Sequence, residues 1–347
     1  MPILINSNTL TFDDILLVPQ FSDLASRKDV DISTNLFGVS LPVPICSANM
    51  DTVTETAMAE EMFRLGGIGF LHRYAPYETI FNWLKEIHDD KKSIAIPSIG
   101  VKDSDLEWAL KYADYGVLGV NIDIAHGDSK HMLNMIEKLA KEDINVIAGN
   151  VATREGARRL ANAGAKVIKV GIGPGSLCTT RIITGHGVPQ LTAIMECASI
   201  KKAYGVTIIA DGGIRNSGDI VKALAFGADL VMVGSLLAGT AESPGKLVEL
   251  TNEKGLRYHA KEYRGMASRA ARDSVSKTDS SYTPEGESTF VKYKGPVQAI
   301  VRQLEGGIRS GFSYSGAHNL QELQENAEYV VISGNGMAES KPHLITR

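Results

Sequence analysis

The residues with the clearest chemical promise lie in one short stretch, Gly171-Ile172-Gly173-Pro174-Gly175-Ser176-Leu177-Cys178-Thr179-Thr180-Arg181. Three glycines and a proline within five positions cannot continue a strand, so the chain must turn there, with positive φ accessible. Such a loop presents the residues at its far end. There stands Cys178, among the hydroxyls of Ser176, Thr179 and Thr180 and beside the guanidinium of Arg181. A thiolate is a strong nucleophile, and a neighbouring cation or hydroxyl donor favours its formation. Most free cysteines are instead small buried hydrophobes, and Cys46 in Pro44-Ile45-Cys46 and Cys197 in Glu196-Cys197-Ala198 read that way. The glycine-rich setting separates Cys178 from them and marks it as a candidate for covalent catalysis.

The elements that must hold this loop recur as one unit. A helix-period segment closes on a glycine and a short β-branched strand comes at once after it, at the joints Leu65-Gly66-Gly67, Tyr115-Gly116-Val117, Ala163-Gly164-Ala165, Tyr204-Gly205-Val206 and Phe226-Gly227-Ala228. Glycine just past a helix end is a common C-cap, so each joint predicts a helix-to-strand turn. Eight strands are expected at 43–47, 67–71, 93–99, 117–122, 145–148, 166–170, 207–210 and 230–233, mostly continuous apolar runs, as parallel strands covered on both faces are. Between them helix periodicity shows, for example at Leu191, Ile194, Met195 and Ala198. Eight such units predict an α/β fold, a (β/α)8 TIM barrel, with a doubly wound sheet as the alternative.

In a barrel the chemistry sits on the loops after the strands. Those ends carry Asn49-Met50-Asp51, His72-Arg73-Tyr74, Asp123-Ile124-Ala125, Gly149-Asn150, the Cys178 loop, Asp211-Gly212-Gly213 and Gly234-Ser235. The last two close strands seven and eight, where barrels commonly hold a phosphate on backbone N–H groups. A phosphate-bearing substrate between them and Cys178 is therefore expected. No Gly-x-Gly-x-x-Gly opens a helix after a strand, so a Rossmann dinucleotide site is excluded.

Composition narrows the class. A chain of 347 residues with 44% hydrophobic and 22% charged residues suits one barrel-sized globular domain or two smaller ones, and the eight units favour a single barrel over 1–347. A net charge of -4 offers no general attraction to nucleic acid or an anionic membrane. Three irregularly spaced cysteines form neither a disulfide framework nor a CxxC metal pattern, and there is no basic leader or long apolar run, so a cytoplasmic protein is expected. From about 268 to 286 the composition turns polar, predicting a mobile flap or a plain surface loop, the loop being the default on composition alone, and a C-terminal tail from about 330 to 347 is expected to be exposed or lodged on a neighbouring subunit.

Taken together, the chain resembles the IMP dehydrogenase and GMP reductase family over nearly its whole length. The residues that carry this are Thr11-Phe12-Asp13-Asp14-Ile15-Leu16-Leu17-Val18-Pro19, Ala48-Asn49-Met50-Asp51-Thr52-Val53, the stretch 171–181, Asp211-Gly212-Gly213, Tyr263-Arg264-Gly265-Met266, Pro284-Glu285-Gly286 and Gly306-Gly307-Ile308-Arg309-Ser310. The resemblance implies a (β/α)8 barrel, usually tetrameric. It implies Cys178 as the nucleophile that attacks purine C2, and Thr180 with Glu285 as the acid/base pair. It further implies nucleotide contacts from Met50, Ser176, Asp211, Gly212, Gly213, Gly234, Ser235, Tyr263, Gly265, Met266, Glu285 and Gly286. Arg73, Asp123, Ile124 and Ala125 are implied on the nicotinamide side, with Ser310 and Ser313 as further cofactor positions. Ser26-Arg27 matches a pair that grips the NADPH 2′-phosphate from an adjacent subunit, a task suited to guanidinium. Gly173, Gly175, Cys178 and Arg181 match positions that hold a monovalent cation, potassium, through backbone oxygens.

Two activities share this scaffold. Resemblance to the dehydrogenase would bring a water-activating Arg-Tyr pair in the flap, whereas here the segment reads Asp279-Ser280-Ser281-Tyr282. The chain also lacks the CBS modules most dehydrogenases insert, and Ile122-Asp123-Ile124-Ala125-His126-Gly127 looks more like reductase sequences. The expectation is NADPH-dependent GMP reduction to IMP and ammonia. The tail Glu339-Ser340-Lys341-Pro342-His343 looks more like bacterial dehydrogenases, which keeps oxidation of IMP with NAD as the alternative. A silent nucleotide-binding barrel is disfavoured, since a binding protein needs no nucleophile.

Overall fold

The structure, a computed structural model, describes residues 9–88, 94–274 and 283–342. Eight strands, Ile45–Ser47 (β1), Ile68–Leu71 (β2), Ala95–Ile99 (β3), Val120–Asp123 (β4), Val146–Val151 (β5), Val167–Val170 (β6), Thr207–Asp211 (β7) and Leu230–Val233 (β8), close into a parallel barrel, with β8 pairing back onto β1. The expected strands are all present, several starting two or three residues late because the first residues of the apolar runs finish the preceding turn. One principal helix comes after each strand: Thr56–Arg64 (α1), Tyr77–His88 (α2), Asp103–Tyr115 (α3), Lys130–Lys141 (α4), Arg154–Ala163 (α5), Gln190–Ala198 (α6), Ser217–Ala225 (α7) and Val297–Tyr314 (α8). The fold is the (β/α)8 barrel.

Local chemistry sets these boundaries. The side chains of Ser129, Thr153 and Asn216 cap α4, α5 and α7 by accepting from the N–H groups of Met132, Gly156 and Asp219. At the other ends all five glycine joints adopt positive φ, from +64° at Gly205 to +113° at Gly164. That conformation strongly favours glycine, which is why the turn signal was legible.

Side chains pack in two layers. Cys46, Ile68, Phe70, Ile96, Ile147, Val167, Ile209, Leu230 and Met232 form one cluster with Leu36 and Leu41 of the hairpin 34–41, while a larger cluster joins the strands to the helices. Cys46 and Cys197 are fully buried, and burial raises both thiol pKa values, so both are the core residues expected. One expectation needs correction. In α6 the buried residues are Gln190 to Ile194 and Cys197, while Met195 is exposed, because the segment before residue 12 covers the start of the helix through paired bonds between Leu10 and Thr192. Helix α8 runs through Gly306-Gly307, where a Cβ on Gly307 would stand 2.1 Å from Ser217 of α7, so glycine lets the two helices touch.

Between β8 and α8 lies an unanticipated antiparallel sheet, Val248–Thr251, Arg257–Arg264 and Ser288–Lys292. It carries both described ends of the 268–286 segment. Arg269–Asp273 is a helical turn capped by Ser268, and Gly286 bridges to Cys178 and Ser268, so these ends are ordered. The Asp279 to Tyr282 reading lies outside the described residues, as do His343 and the first eight residues. Of the tail, Tyr329–Val331 pairs with Ile15–Leu17 and stays exposed, as does most of the chain to residue 342.

Candidate active site

A cavity of about 420 Å³ opens at the C-terminal mouth of the barrel, lined from nearly every strand end. Gly171 begins the β6 loop, and a Cβ there would stand 2.0 Å from the Asp211 carbonyl, so only glycine lets the loop leave against β7. Gln190, the first residue of α6, fixes the same junction by donating Nε2 to the carbonyls of Val170 at 2.9 Å and Asp211 at 3.1 Å. Arg181 braces the loop from below, donating to the carbonyls of Ile172 and Val188.

The half-buried Cys178 heads a hydrogen-bonded chain. Its thiol donates to Thr180 Oγ1 at 3.2 Å, and the Thr180 hydroxyl donates to Glu285 Oε2 at 2.9 Å. Glu285 comes from more than a hundred residues downstream, and backbone bonds place it: Thr179 N–H donates to its carbonyl, and its own N–H donates to Ala267. A nucleophile, a hydroxyl and a carboxyl in series can form a covalent bond and pass a proton to a leaving group.

Above the loop sits the end of the strand 257–264. Arg264 donates to both oxygens of Asp51, and Tyr74 Oη donates to the Met266 carbonyl at 2.8 Å, which seats Tyr263, Gly265 and Met266 over the mouth. Ser176 Oγ lies 3.1 Å from Tyr263 Oη, whose burial raises the phenol pKa above its usual value. On the far side Arg73 Nε donates to the Asp123 carbonyl at 2.9 Å and stands 3.6 Å from its carboxylate.

Many of the expected residues therefore meet. Met50, Arg73, Asp123, Ile124, Ala125, Gly173, Gly175, Ser176, Cys178, Thr180, Asp211, Tyr263, Gly265, Met266, Glu285 and Gly286 line this one cavity. Gly212, Gly213 and Gly234 adjoin it, packed against Pro174, Met50 and Tyr263, and the Ser235 carbonyl accepts from Lys294. Ser26, Arg27, Ser310 and Ser313 are elsewhere: Arg27–Asp29 packs against α8, and Ser310 lines a separate groove with Leu17, Pro19 and Tyr314.

Sequence reasoning missed Lys169, and named Asn49 and Asn150 only as strand-end residues without a role. Lys169, inside an apolar strand run, is 3% exposed with Nζ 3.1 Å from Asp211 Oδ2. Asn150 donates to the same oxygen at 2.9 Å, and Asn49 Oδ1 is 3.5 Å from Nζ. The signal was present: a lysine in a strand covered on both faces must find carboxylates. Among the described residues no group of three or more His, Cys, Asp or Glu side chains forms a metal site, and no helix is long and apolar enough to cross a membrane.

The family description "IMP dehydrogenase / GMP reductase domain" matches residues 9–343. The chain belongs to the IMP dehydrogenase and GMP reductase family. As a member of that family it is an oxidoreductase of purine metabolism. Its curated relatives include the inosine-5′-monophosphate dehydrogenase of Cryptosporidium parvum, 40% identical over 96% of this chain and 94% of that one. The enzyme of the same name from Nitrosopumilus maritimus is 35% identical over 96% of this chain and 98% of that one. That second alignment spans 470 residues against the 347 of this chain, so the relative carries an insertion that this family member lacks. Among solved structures, a cysteine-to-alanine variant of GMP reductase from Trypanosoma brucei, in complex with guanosine 5′-monophosphate, superposes with a TM-score of 0.92 at 31% identity, covering 99% of both chains.

Proposed function

We propose that this protein is a GMP reductase, catalysing the NADPH-dependent reductive deamination of GMP to IMP and ammonia. The observation that carries the reading is the chain from Cys178 through Thr180 to Glu285 within one cavity. In it the Cys178 thiolate adds to C2 of the guanine, and Thr180 with Glu285 delivers the proton that lets the 2-amino group leave as ammonia. The covalent purine stays bonded to Sγ until C2 is reduced and the thiolate departs. NADPH, when bound, supplies the hydride. Arg73, Asp123, Ile124 and Ala125 form the wall on which a nicotinamide would lie, and Ser176, Tyr263 and Asp211 the wall for the nucleotide. Between Arg272 and Glu285 the sequence holds no arginine, so the flap carries no Arg-Tyr pair to activate water against the thioimidate.

On the family resemblance, backbone carbonyls of Gly173, Gly175, Cys178 and Arg181 would hold potassium, and hard neutral oxygens suit a weakly held monovalent ion. The Gly175 carbonyl already accepts from Cys178 N–H at 3.0 Å, which leaves one lone pair for such an ion. Its contribution would be to steady the loop that carries the nucleophile. A homotetramer and a cytoplasmic setting complete the proposal.

The second reading, oxidation of IMP to XMP with NAD, is favoured by the names of the curated relatives at 35 to 40% identity. Absorbance at the reduced-nicotinamide band separates the two, with potassium present and GMP plus NADPH run beside IMP plus NAD. A fall in the first cuvette with IMP and ammonia formed is expected. A rise in the second with XMP formed would overturn the reductase.

A further inference from the structure

A buried lysine joins the two halves of the cavity. Lys169 is 3% exposed, yet it lies on a strand whose other inward residues could be apolar at no electrostatic penalty. Taking an ammonium out of water is so unfavourable that an apolar residue of the same volume would often stabilise the fold at least as well. Its retention therefore calls for a role beyond packing. Burial works against its charge, but the carboxylates of Asp211 and Asp123 outweigh that and leave its pKa above the usual lysine value. The residue is an ammonium at neutral pH.

Its placement is specific. Asp123 on β4, Gly149 on β5 and Lys169 on β6 stand side by side in register. Gly149 has no side chain, so nothing separates the residues on either side of it, and Nζ reaches across β5 to within 3.8 Å of Asp123 Oδ1. A Cβ on Gly149 would stand 2.7 Å from that of Lys169. In the other direction Nζ lies 3.1 Å from Asp211 Oδ2, an oxygen that also accepts from Asn150. Two donors thus occupy Oδ2, and among the described residues no donor reaches Oδ1 of this cavity-lining carboxylate. Asp123 is shared in the same way, with Arg73 3.6 Å from Oδ2 and Lys169 on Oδ1.

We infer that Lys169 is a positioning residue common to both subsites: one ammonium orients Asp211 toward the nucleotide's hydroxyls and Asp123 toward the nicotinamide. The inference rests on the assignment of those two aspartates under the proposed function. Its physical consequence is that the two carboxylates are coupled through a single cation. The other titratable or charged groups facing them are Arg73, Cys46 and Tyr263.

The test is GMP binding without cofactor, measured by calorimetry at pH 7 on the full chain. In Lys169→Met, Asp211 loses its ammonium partner, and GMP affinity should fall about tenfold or more. Asp123→Asn acts in the opposite sense. It touches no nucleotide in this reading, yet it leaves Lys169 to Asp211 alone, so GMP affinity should rise about threefold or more. Opposite displacements in the two variants support the inference. GMP affinity within twofold of wild type in Asp123→Asn, or in a folded Lys169→Met, would overturn it. Wild-type protein that binds neither GMP nor IMP would instead sink the functional reading itself.

Discussion

The proposed chemistry at the scale of residues rests on a thiol, a hydroxyl and a carboxyl joined by two hydrogen bonds. Replacing Cys178 by Ala should lower turnover by about a thousandfold or more while leaving GMP affinity within a few-fold, because the covalent step is lost and the cavity wall remains. Single-turnover kinetics and calorimetry check both halves, and near-wild-type turnover would exclude a covalent route. Glu285→Gln keeps the shape but not the proton. It should slow ammonia release by about a hundredfold with little effect on the KM for GMP, and an unchanged rate would remove Glu285 from the relay.

Individual elements hold these groups through their ends. The C-terminal residue of α2, His88, accepts a hydrogen bond at Nε2 from Ala95 N–H, the first residue of β3, and stacks on Tyr115. That bond requires a neutral ring, and burial holds the imidazole below its ordinary value of 6.5. The unfolded chain therefore takes up a proton near pH 6.5 and the folded chain only at lower pH, so stability declines as pH falls through this window. The melting temperature should drop between pH 7 and pH 5 less steeply in His88→Phe than in the wild type. Identical slopes would show that the ring titrates alike in both states. Likewise Thr153 caps α5, and Thr153→Ala should reduce stability by about 1 kcal/mol, read from a denaturant midpoint at constant m.

For the molecule as a whole, the residues proposed for the cofactor divide into two places. Arg73 and Asp123 line the Cys178 cavity, whereas Ser26 and Arg27 stand at the turn that packs against α8, and Ser310 and Ser313 lie on α8 itself, away from the cavity. If both groups serve one NADPH, a second copy must bring Arg27 to the site. Mixing inactive Cys178→Ala with NADPH-defective Arg27→Ala under conditions that exchange subunits should then restore activity, since some sites regain an intact cavity and an intact clamp together. No recovery in mixtures shown to have exchanged would place Arg27 outside cofactor binding.

The barrel was legible in sequence because its signals are local: a glycine that must take positive φ ends a helix, and a covered parallel strand is an unbroken apolar run. The loop at Gly171 was legible for the same reason, and Cys178 and Thr180 travelled with it. Glu285 was legible only through resemblance, since nothing local joins it to a threonine more than a hundred residues away. The sheet between β8 and α8 escaped notice because its strands are largely exposed and carry few apolar residues. Lys169 escaped because a single charge in an apolar run acquires meaning only from Asp123 and Asp211, on strands that barrel closure brings beside it. By itself, then, the sequence determined which elements form and which residues are chemically able. Tertiary structure alone decided which of them share a cavity, because hydrogen bonds and ion pairs depend on distances of a few ångströms between residues far apart in the chain.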